Sequence, residues 1–250
     1  MTLALVTGAS RGIGRATALK LAQQGYRVAV NYRQRADEAQ RVVAQIREQG
    51  GEAFTVQADI ADEAQVMALF KRLDAEAMPL TVLVNNAGIL SVQCRVEDLS
   101  AERLQRIFAT NVTGTFLCCR EAVRRMGTHH GGLGGSIVNV SSAASRLGAP
   151  GEYVDYAASK GAMDSLTKGL SLEVAAQGIR VNSVRPGFIY TDMHADGGEP
   201  GRVDRVAAAA GVIPMGRGGE AEEIAEAIVW LASEAASYIT GTFIDAAGGR

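Results

Sequence analysis

The chain has 250 residues, a formal net charge of -2, 47% hydrophobic residues and a mean hydropathy of +0.05. That length is enough for one large α/β domain with a substantial core, and the near balance of charge supplies no basic face for nucleic acid. The longest apolar stretches are strand-sized, too short to cross a membrane, and residues 2–6 are too short for a signal-peptide core, so a cytoplasmic location is expected. Cys94, Cys118 and Cys119 are odd in number, and two are adjacent, so neither a disulfide framework nor a zinc spacing is present.

In chain order, short β-branched runs alternate with amphipathic stretches. LALVT (3–7) opens the series, a glycine-rich turn follows, and 15–24 reads as helix. RVAVN (27–31), AFTVQ (53–57), TVLVN (81–85), SIVNV (136–140), RVNSV (180–184) and TFIDA (242–246) read as the next six strands. Helical patterns over 36–49, 63–75, 101–126, 156–177 and 220–233 fall between them, and Gly25, Gly50 and Gly178 stand where a helix C-cap wants positive φ. No linker interrupts the series, so 1–250 is expected to be a single domain. Right-handed crossovers then require a Rossmann-type, doubly wound, parallel seven-stranded sheet with helices on both faces, its ligand beyond the C-terminal strand ends.

The turn after the first strand, TGASRGIG (7–14), directs backbone N–H groups and a helix N-terminus at one spot, which suits phosphate. Gly8 permits the sharp turn, Gly12 the approach of a pyrophosphate and Gly14 close helix–strand packing. The spacing is TGxxxGxG, and it is followed in order by Asn85-Asn86-Ala87-Gly88, Tyr156-Ala157-Ala158-Ser159-Lys160 and Pro186-Gly187. This ordered set resembles the short-chain dehydrogenase/reductase family over essentially the whole chain. The likeness is greatest to the bacterial group that contains 3-oxoacyl-carrier-protein reductases and glucose dehydrogenases. It implies an NAD(P)(H) oxidoreductase acting on CH–OH donors, usually a tetramer.

Residue chemistry supports the same reading. Hydride exchange with nicotinamide needs a partner for the hydroxyl proton. Tyr156 and Lys160, four apart on a predicted helix, project from one face. A free phenol titrates near ~10, and an adjacent ammonium together with the positive ring of oxidised nicotinamide favours phenolate. By resemblance Lys160 also holds the nicotinamide ribose. Ser142, at a C-terminal strand end, is placed to hold the substrate oxygen; Ser141 is the alternative, and the family pattern favours the second serine. Asn111, within the helix ATNVTG, matches the family's fourth catalytic member, its side chain able to interrupt the local ladder and hold a water linking Lys160 to solvent.

The resemblance assigns cofactor contacts to Gly8, Ser10, Arg11, Gly12, Ile13 and Gly14, to Asp59 and Ile60 after the third strand, and to Asn86, Ala87 and Gly88. Pro186, Gly187, Ile189 and Thr191 are assigned to the nicotinamide side. At the end of the second strand Asn31, Tyr32 and Arg33 stand where an acidic residue would otherwise bind both ribose hydroxyls. With Arg11 nearby, two cations suit a 2′-phosphate, so NADP(H) is expected over NAD(H).

A glycine-bearing segment, about 192–212 and including His194, is expected to be a substrate lid, while Glu152, Tyr153, Val92 and Cys94 match family pocket positions. His129-His130 reads as loop, with no metal expected. The apolar face with Ile228, Trp230 and Leu231, beside the last strand, is expected to serve a homotetramer. Two other functions are weighed against a small carbonyl or alcohol substrate: a 3-oxoacyl-carrier-protein reductase, and a nucleotide sensor without catalysis. In carrier-dependent relatives arginines stand where this chain has Leu133 and Gln177, though Arg124, Arg125 and Arg180 lie nearby in sequence.

Overall fold

The computed structural model describes residues 1–193, 206 and 209–250. Seven strands form one parallel sheet: β1 (Leu3–Val6), β2 (Arg27–Tyr32), β3 (Glu52–Gln57), β4 (Leu80–Asn85), β5 (Gly135–Val140), β6 (Ile179–Pro186) and β7 (Phe243–Ala246). Their spatial order is β3-β2-β1-β4-β5-β6-β7. The chain winds outward from β1 through β2 and β3, then resumes on the other side at β4, so strand order reverses between β1 and β4. That reversal opens a crevice at the C-terminal strand ends.

Each face of the sheet is covered because each strand alternates inward-facing apolar residues in both directions. Val6, Val30, Val84 and Val138 pack under α1 (Gly12–Gln23), α2 (Ala36–Glu48) and α8 (Ala221–Ala232). Leu5, Ala29, Leu83 and Ile137 pack under α3 (Glu63–Asp74), α5 (Gly114–Met126) and α7 (Val154–Val174). Cys118 and Cys119 lie fully inside this second layer, where burial pushes both thiols up, Cys119 to about 12.

The stretch 101–126, which reads as one helix, is α4 (Ala101–Phe108) joined to α5 by a π-helical turn at Ala109–Thr113. Between β5 and α7 lies the four-residue α6 (Ala144–Leu147). Ile228 and Leu231, expected on an outer face, are fully buried in the core, whereas Trp230 is 42% exposed. Most of the expected lid, including His194, lies outside the described residues. No helix among the described residues is long and apolar enough to cross a membrane.

Candidate active site

The glycine turn is held by side chains that spend themselves on backbone. Gly8 and Gly12 have φ of +62° and +53°, a region open to glycine. The Thr7 hydroxyl accepts from the N–H groups of Asn86 and Ala87, both at 3.0 Å. Asn86 Nδ2 donates to the carbonyls of Thr7 (2.9 Å) and Gly8 (3.0 Å). A Cβ on Gly14 would stand 2.5 Å from both Asn86 Nδ2 and the Gly8 carbonyl, so close packing is what that glycine permits. Asn31 is 2% exposed, and its amide donates to Val56 O and Ala58 O while its oxygen accepts from Gly8 N–H. Asn31 therefore fixes the turn at the cavity wall.

A cavity of about 690 Å³ opens above this turn. Its walls include Gly8, Ser10, Arg11, Gly12 and Ile13 from the turn, and Asn31, Tyr32 and Arg33 from β2. Asp59, Ile60, Asn86, Ala87, Gly88 and Thr191 complete the expected set there. Gly14, Pro186, Gly187 and Ile189 are not among the residues that line the cavity. Pro186 ends β6, and a Cβ on Gly187 would fall 2.8 Å from Ala247, so this segment presses against the end of β7. Thr191 then reaches across to the turn, its methyl 3.3 Å from where Gly12 would carry a Cβ.

Arg35 and Arg106 also line the cavity, and no motif in the sequence marks either. Arg35 stands two residues past Arg33 in the same VNYRQR stretch. Arg106 precedes Thr110 by one helical turn, a spacing that could have located it. Arg11, partly buried, is shifted down by burial and next by the positive charge of Arg35, so these two guanidiniums share one end of the cavity. Arg33 faces Asp59 at 3.5 Å.

Farther along the crevice, Ser142 follows β5 and Tyr156 enters in the first turn of α7. The Ser142 hydroxyl hydrogen-bonds the Tyr156 phenol. Ser141 instead donates to the Lys160 carbonyl at 3.2 Å, which separates the two serines by direction. Between Ser142 and Tyr156 the chain forms α6 and a turn in which Gly148 and Gly151 take positive φ.

Burial pushes the Tyr156 phenol up to about 12, opposed by Ser142. The Lys160 Nζ lies 5.6 Å from the Tyr156 ring centroid and donates to Val140 O at 2.7 Å. Lys160 is fully enclosed, and burial lowers its ammonium to about 8 against the raising effect of Asp164.

Asn111, fully buried in the π turn, donates to Ile89 O and Ser159 Oγ and accepts from Ile89 N–H at 2.8 Å. Its amide thus fixes the chain just past Gly88. A Cβ on Gly88 would lie 3.5 Å from both Asn111 Oδ1 and Lys160 Nζ, so this glycine keeps open the small space between them.

A parallel sheet with its switch-point crevice, a glycine turn cradling that crevice, and a Ser–Tyr–Lys group at its far end define a dinucleotide-dependent oxidoreductase. The chain belongs to the short-chain dehydrogenase/reductase family. A family model described as enoyl-(acyl carrier protein) reductase matches residues 8–250. The chain is 69% identical to the uncharacterized oxidoreductase YgfF of Escherichia coli (strain K12), over 100% of both chains. It is 39% identical to the 3-oxoacyl-[acyl-carrier-protein] reductase FabG of Staphylococcus aureus (strain Mu50 / ATCC 700699), covering 98% of this chain and 96% of that one. A short-chain type dehydrogenase/reductase from Mycobacterium marinum superposes with a TM-score of 0.91 at 39% identity, covering 99% of this chain and 94% of that one.

Proposed function

We propose that the protein is an NADP(H)-preferring reductase of small carbonyl compounds, with Tyr156 as its proton donor. The observation that carries this reading is the hydrogen bond between Ser142, just past β5, and Tyr156 in the first turn of α7, beside a glycine-turn cavity lined by arginines. NADPH supplies the hydride when bound. The glycine turn, from Gly8 to Gly14, receives its pyrophosphate at the N-terminus of α1. Arg11, Arg33 and Arg35 suit a 2′-phosphate, since a forked guanidinium matches phosphate oxygens and no carboxylate ends β2.

Ser142 holds the substrate oxygen beside the Tyr156 phenol. With the phenol pushed up to about 12, Tyr156 is protonated at neutral pH, the form that donates as the carbonyl oxygen gains charge. Lys160, still largely ammonium at pH 7, stabilises the phenolate left behind and binds the ribose. Asn111 secures the backbone at Ile89 and one edge of the space beside Lys160. These four residues, Asn111, Ser142, Tyr156 and Lys160, form the working group.

The 39% identity to a carrier-protein reductase favours a second reading, with 3-oxoacyl thioesters as substrates. The surface favours free small molecules. Leu133 is 70% exposed in the loop before β5, and Gln177 closes α7, both at the N-terminal end of the sheet and so away from Tyr156 within one subunit. The nearby arginines are engaged: Arg124 and Arg125 on Glu121, Arg125 also on Asp74, and Arg180 on the carbonyls of Leu231 and Ser233.

The reading extends to one cytoplasmic domain over 1–250, with a substrate lid at about 192–212, assembled as a homotetramer. Exposed Trp230 and Tyr238 on one side, and Leu104, Phe108 and Phe116 on another, suit subunit contacts. The test is NADPH consumption across a panel of small aldehydes, ketones and 3-oxo esters. Turnover with several of them, faster than with NADH, is the expected result; none with any carbonyl would discard the reading.

A further inference from the structure

Ile89, Leu90, Ser91 and Val92 line one wall of the cavity, and residues 89–94 belong to no strand or helix. They are nevertheless held at successive points. Ile89 is fixed by Asn111, the Ser91 hydroxyl accepts from Arg106 at 3.0 Å, and Cys94 N–H donates to Glu152 O at 3.1 Å. Val92 O accepts from Arg103 Nη1 at 2.6 Å.

Arg103 does more than hold Val92. Its Nε and Nη2 donate to Asp155 Oδ2 (2.6 Å) and Oδ1 (3.1 Å), a two-pronged pair. The Asp155 side chain is 0% exposed and that of Arg103 12%. Asp155 sits in the first turn of α7, immediately before Tyr156. A single guanidinium on α4 thus ties the helix start that carries Tyr156 to Val92, in the wall of the cavity.

A buried ion pair is a poor source of stability, because removing two charges from water costs about as much as their attraction returns. An apolar pair of similar size would serve the core as well. What it would not supply is direction: the planar fork fixes distance and angle to two partners at once.

We propose that Arg103 is a positioning residue, which through Asp155 and Val92 sets the spacing between the Tyr156 phenol and the 89–94 wall, and hence where the substrate carbonyl comes to rest. This rests on the reductase reading for its kinetic consequence, but not for its structural one. Misplacing a reacting group by about 1 Å costs on the order of a hundredfold in rate.

The test uses the full-length enzyme with the double substitution Arg103→Met/Asp155→Leu, which removes both charges together, and with Arg103→Lys, which keeps the charge and loses the fork. For each, kcat and KM for the best panel substrate, NADPH affinity, Tm and hydrogen exchange at the Cys94 amide are measured. In the double variant kcat is expected to fall ~10–100-fold while NADPH affinity stays within about twofold. Its Tm should stay close to wild type and Cys94 should exchange faster; Arg103→Lys should fall between. Wild-type kcat with unchanged Cys94 exchange overturns the proposal, as does a rate loss that only tracks a fall in Tm. If the double variant does not fold, Arg103→Lys is judged by the same readings, and wild-type behaviour there is equally fatal. If wild-type enzyme reduces no carbonyl, the reductase reading fails by itself, and Cys94 exchange alone decides for or against the tie.

Discussion

The two ends of the crevice use polar side chains in opposite ways. At the β1–β2 end, Thr7, Asn31 and Asn86 are consumed by backbone groups, so what they present to a ligand is a shaped main chain. At the β5–α7 end, half-buried Tyr156 and buried Lys160 turn titratable groups of their own to the site, and burial moves both from their usual values. In the proposed reductase, binding would draw on geometry that small residues permit, and chemistry on burial that larger ones impose. Substitutions at the two ends should separate affinity from rate.

The largest effect is expected at the chemical end. Tyr156→Phe removes the proposed proton donor and leaves the glycine turn untouched, so turnover should fall by ~10²–10⁴-fold with NADPH affinity nearly unchanged. Single-turnover hydride transfer beside a cofactor titration measures both. A variant within a few-fold of wild type would break the division between the two ends.

At the binding end, exchanging a cation for a carboxylate should alter cofactor choice without altering the proton chemistry. Arg33→Asp removes a charge-assisted contact of ~1.5–3 kcal/mol, which is roughly tenfold to a hundredfold in the NADPH-over-NADH ratio of kcat/KM. Arg35→Ser, tested in parallel, would show how that preference is shared between neighbours. Wild-type preference for NADH would show that the arginine cluster serves another anion.

Most of the architecture was legible because hydrophobic alternation and cap glycines are local signals. The seven strands, and the helices between them, follow from runs such as TVLVN and SIVNV. The π turn at Ala109–Thr113 was legible only through Asn111, whose side chain can interrupt a helical ladder; Ala101–Met126 otherwise has continuous helical periodicity, and the partners Ile89 and Ser159 are distant in sequence. The same limit explains Asn31. Its place at the end of β2 suggests a ribose ligand, and contacts to Val56 and Ala58, distant in sequence, turn its amide inward. Arg103 and Asp155 are separated by more than fifty residues and carry no motif, so only the fold brings them together. Ile228 and Leu231 mark the remaining ambiguity, since an apolar helical face reads alike whether it meets its own sheet or a partner.

The pH dependence sharpens the comparison from the chemical side. Lys160 is lowered to about 8 by burial, so its ammonium is lost as pH rises through that value, and with it support for the Tyr156 phenolate formed in reduction. The kcat/KM for reduction should fall on the alkaline side with a midpoint of about 8, approaching tenfold per further pH unit. Protein unfolding would not account for this limb. In the unfolded chain the lysine keeps its proton to about 10.5, so between the two values the unfolded state binds more protons and this group makes stability increase with pH. Activity that falls while Tm holds is the expected pair of observations; a flat profile to pH 10 would separate Lys160 from the proton chemistry.

The smallest expected effect concerns a surface remote from both ends. Carrier proteins are acidic, and a reductase that accepts their thioesters gains from basic groups that steer the encounter and fix its register. Here Arg120, Arg124 and Arg125 surround the one buried carboxylate of Glu121, with Glu63 and Asp74 neutralising what remains. Arg180 is committed to the C-terminal carbonyls of α8, where a cation also suits the helix dipole. These side chains would have to break existing pairs to meet a carrier, so they add little steering charge. Acetoacetyl on a carrier and the same acyl group on a short thiol should therefore give kcat/KM values within about threefold of each other, a gap of well under 1 kcal/mol. Raising salt should change that ratio little, because exposed charges that are already paired contribute weakly to begin with. A large preference for the carrier that collapses with salt would mean that the arginines on α5 release their carboxylates on encounter, and the carrier-protein reductase would become the better reading.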